Sequence, residues 1–113
     1  MKFKNIFESI KLYHVSNPEH RKNIKKEGLV PQIGPSYEAH YEKNMGPAVF
    51  VSSKNEYDST YDDDRYEITL SQDEYDNLEF HIDKEAKDAL YTFNTIPVKN
   101  IKLIHKGSGD STF

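Results

Sequence analysis

Leu12-Tyr13-His14-Val15-Ser16 is the stretch on which the reading of this chain turns. A short apolar and aromatic run of this kind favours an extended strand. It carries one ionisable side chain, His14, and ends in a hydroxyl, Ser16. Asn17-Pro18-Glu19 follows as a helix start, because Asn17 or Ser16 can cap free amides and Pro18 suits a first turn. The helix runs through Glu27 with Ile24 as its apolar position, Gly28 stops it, and Leu29-Val30-Pro31 leaves as an extended segment. On these residues alone His14 is either a hydrogen-bonded strand histidine or a ligand-binding group.

Upstream, Phe3, Ile6, Phe7 and Ile10 fall on one face of an amphipathic helix over 1–11. That segment reads as a docked terminal helix or as a leader. Downstream, 32–45 is a long loop with Tyr37 and Tyr41, and Ala48 to Ser52 is a buried-type strand. Residues 53–64 are polar, with a helical turn holding Tyr57 and Tyr61. Arg65 to Leu70 alternates, placing Tyr66, Ile68 and Leu70 on one side. Residues 71–77 read as a polar turn, Leu78-Phe80-Ile82 as another alternating strand, and 83–89 as weakly helical. Leu90 to Phe93 and Lys99 to Ile104 close the set of strands, and 107–113 reads as a flexible tail. The sum is an α+β domain over 12–106, with about five short strands, mostly antiparallel, and two or three short helices.

Composition narrows the class. A chain of 113 residues is one domain's worth. With 35% hydrophobic and 30% charged residues it is polar, but 8 Tyr and 6 Phe supply the core volume that a disordered chain lacks. A net charge of −4 argues against nucleic acid or an acidic membrane as partner, although the basic residues gather in 1–30 and the acidic ones in 56–88. The absence of cysteine excludes disulfides and thiolate metal sites and fits a cytoplasmic setting. No run reaches the length of a membrane span.

The order of pieces resembles the ADP-ribosyltransferase fold shared by poly-ADP-ribose polymerases, the small rifampin ADP-ribosyltransferases and diphtheria-type toxins. Leu12-Tyr13-His14-Val15-Ser16 is similar to the family's Tyr-His-Gly-Thr or Tyr-His-Gly-Ser strand, and the helix and Gly28-Leu29 exit follow as in the family. Gly46-Pro47-Ala48-Val49-Phe50-Val51-Ser52 resembles Gly-x-Gly-Ile-Tyr-Phe-Ala, and Tyr61 stands at the spacing of a tyrosine that stacks on nicotinamide. Thr95 to Ile104 resembles the closing strand pair. The leader over 1–11 resembles the Met-Lys-x-aromatic tag of internal head proteins of tailed phages, which would make the cytoplasm that of a host cell.

The resemblance implies two small, mostly antiparallel sheets with NAD bent in the cleft between them. His14 would hydrogen-bond the adenosine-side ribose, and Tyr13, Val15 and Ser16 would flank it, with Val15 backbone groups pairing with the nicotinamide amide. Phe50 and Tyr61 would sandwich the nicotinamide ring, and Ser52 would line the floor. A carboxylate near the ribose 2′-hydroxyl would stabilise the oxocarbenium charge that develops in the transition state. The position of the family's catalytic glutamate falls near Leu90, so the acid must come from elsewhere: Asp83 first, Asp88 second, within a segment that also holds Asp76, Glu79 and Glu85. Val15 stands where the family has glycine, and Phe50 lacks the tyrosine hydroxyl.

Other chemistries are weaker on these residues. His14, His20, His40, His81 and His105 show no i, i+3 or i, i+4 pairing, so no zinc site is expected, and Asp62-Asp63-Asp64 lacks the spacing of a calcium loop. There is no phosphate-binding loop, no dinucleotide glycine fingerprint and no serine elbow. RNA 2′-phosphotransferases share the fold but use arginine pairs, and 11–30 holds only Arg21. Three readings remain: a small mono-ADP-ribosyltransferase acting on an unknown acceptor, a degenerate module that binds NAD, ADP-ribose or a protein, and a phage accessory or anti-defence protein that blocks a host partner.

Overall fold

A computed structural model of the chain describes residues 9–32, 46–55, 61–84 and 86–111. The order is β1 (Ile10–Ser16), a 3-10 turn (Pro18–His20), α1 (Arg21–Glu27), β2 (Val49–Ser52), β3 (Asp64–Leu70), α2 (Gln72–Leu78), β4 (His81–Ile82), β5 (Ala89–Thr92), a 3-10 turn (Val98–Asn100) and β6 (Ile101–His105). The described strands form one sheet of order β4-β5-β2-β1-β3-β6, antiparallel at every pairing. The α+β class is as expected. A single sheet stands where two small ones were expected, because β1 pairs along its whole length with β3 and also touches β2.

That second contact is narrow. β1 and β2 meet at one register pair, Tyr13 opposite Ser52, and beyond it His14, Val15 and Ser16 have register partners in β3 and none in β2 among the described residues. The β1–β2 junction is therefore the narrowest pairing within the one sheet.

Period-2 alternation sets the core face. Ile10, Leu12 and His14 lie opposite Leu70, Ile68 and Tyr66, and Leu12, Ile68, Leu70 and Tyr66 are buried. Lys11 lies on the other face, where its ammonium reaches Glu67 at 3.3 Å and Thr69 at 2.9 Å. Ile24 from α1, Leu78 from α2, and Leu29 and Ile96, which bridge to each other, complete one hydrophobic cluster. Gly28 makes that bridge: its φ is +84°, and a Cβ there would stand 2.3 Å from the Ile96 carbonyl oxygen.

Several expectations are corrected. Residues 1–8 lie outside the described residues, and Ile10 and Lys11, assigned to a helix over 1–11, belong to β1. Gln72–Leu78 is a helix, capped by Ser71, where 71–77 was expected to turn. Ser71 Oγ accepts from the Glu74 amide at 3.1 Å and Glu74 Oε1 accepts from the Ser71 amide at 2.9 Å, a capping box that starts α2. Leu78 therefore ends a helix instead of starting a strand, and only His81–Ile82 pairs with β5. The Thr92 hydroxyl and Asn94 Nδ2 (2.9 Å) both donate to the Leu78 carbonyl, which ties the end of α2 to β5. Asp83 to Asp88 reads as turns and bends with no helix among its described residues.

Residues 107–111, within the segment read as a tail, are joined to 61–64 by hydrogen bonds. Gly107 N donates to Asp64 Oδ1 at 2.7 Å, Ser108 N to Asp62 Oδ2 at 3.0 Å, Gly109 N to the Asp62 carbonyl at 2.9 Å, and Ser111 bridges Tyr61. A Cβ on Gly107 would sit 2.1 Å from the Asp62 carbonyl oxygen, so glycine is what lets the two segments meet. No described helix is long and apolar enough to cross a membrane.

Candidate functional site

Past the Tyr13–Ser52 pair β1 and β2 diverge, and a cavity of about 540 Å³ opens between the end of β1 and the start of β2, roofed by the Pro18–His20 turn and α1. Its lining includes His14, Val15 and Ser16 from β1, Val49 and Phe50 from β2, Asn17, Glu19 and His20 from the turn, Asn23, Ile24 and Glu27 from α1, and Asp63. Pockets of ~300–1,000 Å³ are the size that holds small ligands and cofactors. The turn is placed by its cap: Asn17 Oδ1 accepts from the Glu19 amide at 2.9 Å, and Pro18 occupies the first position.

His14 is the fixed group in this cavity. Its Nδ1 stands 2.7 Å from the Phe50 carbonyl oxygen, across the seam. A carbonyl can only accept, so Nδ1 carries the proton and donates. Desolvation of the partly buried ring lowers its pKa below the ordinary 6.5; the Phe50 contact opposes that shift and the neighbouring His20 adds to it. At neutral pH the imidazole is therefore neutral, with Nε2 left as an acceptor. The Tyr66 ring lies 6.4 Å from it, centroid to centroid, on the core side.

The structure brings together four of the residues singled out from sequence, His14, Val15, Ser16 and Phe50. It separates the others from them. Tyr13 and Ser52 form the pair that closes the seam, and neither lines the cavity. Tyr61 is 53% exposed, bridges Ser111 and does not line the cavity. Phe50 packs instead on Tyr91, at 5.8 Å and tilted by 47°. Tyr57 lies outside the described residues.

The two acids singled out are also elsewhere. Asp83 is buried and its amide donates to the Ala89 carbonyl at 3.0 Å. Asp88 has φ +64°, its carbonyl accepts from the Ser53 amide at 2.9 Å, and its carboxylate pairs with Lys54 at 3.5 Å. Both stand around the Ser52–Ala89 end of the β2–β5 pair, whereas the cavity opens at the Val49 end. The carboxylates that do line it are Glu19, Glu27 and Asp63. The one sequence signal for Glu19 and Glu27 was their place on the helix directly behind the His14 strand; Asp63 had none.

A second polar cluster backs the site. Asp64 is fully buried and accepts from Arg21 Nε and Nη2, both at 2.7 Å, from Gly107 N, and from the Tyr66 hydroxyl at 3.3 Å. The Arg21 guanidinium holds the Asp64 carboxyl below the usual carboxylate range, and burial followed by the Asp64 charge pushes the Tyr66 hydroxyl up to about 12. Among the described residues no group of three or more His, Cys, Asp or Glu side chains is gathered to hold a metal. No family model, curated protein or solved structure matches the chain.

Proposed function

We propose that the cavity at the β1–β2 seam binds NAD or its ADP-ribose portion. The observation that carries this reading is the pairing of His14 with Phe50 at the mouth of a hollow of cofactor size, with the imidazole held in one neutral tautomer. Nε2 is then an acceptor for a ribose hydroxyl. Val15 pairs with Arg65 of β3 and has no register partner in β2, and its backbone is the group that would meet a carboxamide. Preorganised groups of this kind lower the ordering cost of binding. The test is a thermal shift with NAD and with ADP-ribose, since a ligand stabilises the state it binds. A shift that is lost in His14→Ala supports the reading, and no shift with either ligand counts against it.

Transfer of ADP-ribose is a second reading, favoured by the three carboxylates in the cavity lining. In that reaction the bond between ribose C1′ and the nicotinamide nitrogen breaks and nicotinamide leaves with the electron pair. The acceptor's nucleophile then bonds to C1′ and gives its proton to a carboxylate base. A carboxylate beside the ribose stabilises the positive charge formed at C1′. Nicotinamide release that disappears in Glu19→Gln, Glu27→Gln or Asp63→Asn, and persists in Asp83→Asn and Asp88→Asn, assigns the acid. NAD binding without release leaves a binding module, whose outlet would be a host protein.

A further inference from the structure

On the far flank of α1 from the His14 cavity lies a second hollow of about 400 Å³, between α1, the Val98–Asn100 turn and β6. Ile24 lines both. The floor of the second hollow is apolar. Ile101 packs against the core there, while Val98 and Leu103 are 40% and 36% exposed, so apolar surface faces water in a concave place.

Its rim is cationic. Arg21 and Lys25 are four residues apart on α1 and so share a face with Ile24. Lys106 directly follows β6. Neither Lys25 nor Lys106 has an ion-pair or hydrogen-bond partner among the described residues. Arg21 spends Nε and Nη2 on Asp64 and Gly107, which leaves Nη1 outside that fork. In a chain of net charge −4, these cations around an apolar floor are a local reversal of sign. Such a rim attracts an anion, and such a floor attracts a hydrocarbon.

We propose that this hollow is a binding site for a small amphiphilic carboxylate, one apolar chain carrying one anionic head. The chain lies on Ile101 and Leu103, and the head meets Lys25 and Lys106. Hydrocarbon gains from leaving water at this floor, while a carboxylate gains charge-assisted hydrogen bonds at the rim. A volume of about 400 Å³ is at the small end for ligand pockets, which suits one chain better than a folded partner. The site stands apart from whatever the His14 cavity binds.

The test uses the full ¹⁵N-labelled chain and decanoate below its micelle concentration, with decyltrimethylammonium and decyl maltoside as probes of equal chain length and different charge. Decanoate is expected to shift the amides of Lys25, Ile101, Leu103 and Lys106 saturably, one molecule per chain, and the other two probes to bind at least about tenfold more weakly. Lys25→Glu/Lys106→Glu changes two exposed side chains and is expected to keep the fold by circular dichroism and to lose decanoate by a similar factor. Leu103→Glu should do the same through the floor. Absence of saturable shifts, shifts centred on the His14 cavity, equal binding of the cationic probe, or unchanged affinity in the double variant would each overturn the assignment.

Discussion

Arg21 and Asp64, forty-three positions apart, meet as a two-pronged ion pair, with Nε to Oδ2 and Nη2 to Oδ1 both at 2.7 Å. The pair joins α1 to the first residue of β3, and through Gly107 it also holds the segment after β6. It thereby fixes the helix that roofs the His14 cavity. Asp64 is wholly buried, so removing its cation leaves an uncompensated charge. Arg21→Ala is expected to cost about 3 kcal/mol, the low end for breaking a buried pair because Arg21 remains partly exposed. Urea unfolding measures it; a loss under about 1 kcal/mol would mean that water replaces the guanidinium.

The capping box gives the fold an acid-sensitive point. Hydrogen bonds from the Ser71 amide and Asn100, with Lys99 nearby, bring the Glu74 carboxyl from its ordinary 4.5 down to about 2. A depressed carboxylate stabilises the fold above its unfolded value, so this contribution is complete above about pH 4.5 and disappears as pH falls toward 2. Asp62 and Asp64, also depressed, act in the same direction. Glu74→Gln keeps an acceptor for the Ser71 amide and removes the titration. Its urea midpoint should fall less steeply between pH 5 and pH 3 than that of the parent chain.

Two glycines are required by close backbone approach. Gly28→Ala puts a Cβ 2.3 Å from the Ile96 carbonyl at φ +84°, and a loss of a few kcal/mol is expected in thermal unfolding. Gly107→Ala collides with Asp62 and should release residues 107–111 without unfolding the sheet. Hydrogen exchange reads the difference: the amides of Ser108 and Gly109 lose protection while those of β1 and β3 keep it.

The protonation of His14 is directly observable. The Nδ1–H tautomer gives distinct imidazole ¹⁵N shifts, and the titration midpoint should lie below 6.5. A midpoint above that value, or an Nε2–H tautomer, would remove the donor from the Phe50 contact.

Much of the fold was legible because alternation is a local signal. Tyr66, Ile68 and Leu70 declare their strand, and Asn17-Pro18 and Gly28 bracket the helix turn. The α2 helix was hidden because Gln72 to Asn77 has one apolar-leaning residue, Tyr75, and its only strong mark is the Ser71–Glu74 spacing. The contacts of 107–111 were not legible because their partners include carboxylates at 62 and 64, far away in sequence. The site divides the same way. His14 and Phe50 were brought together only by the resemblance of their two strands to the family's, and they sit on adjacent strands, whereas Asp83 and Asp88 are carried to the opposite end of β5 by a register that no local pattern specifies.

Calorimetric titration of NAD into the full chain, with amide shifts recorded in parallel, tests whether the β1–β2 seam binds the dinucleotide. Binding of one NAD per chain that moves the amides of His14, Val15 and Phe50, and that weakens at least about tenfold in His14→Ala, is the result expected. Absence of heat with unchanged spectra, or shifts confined to residues remote from the β1–β2 seam, would contradict it.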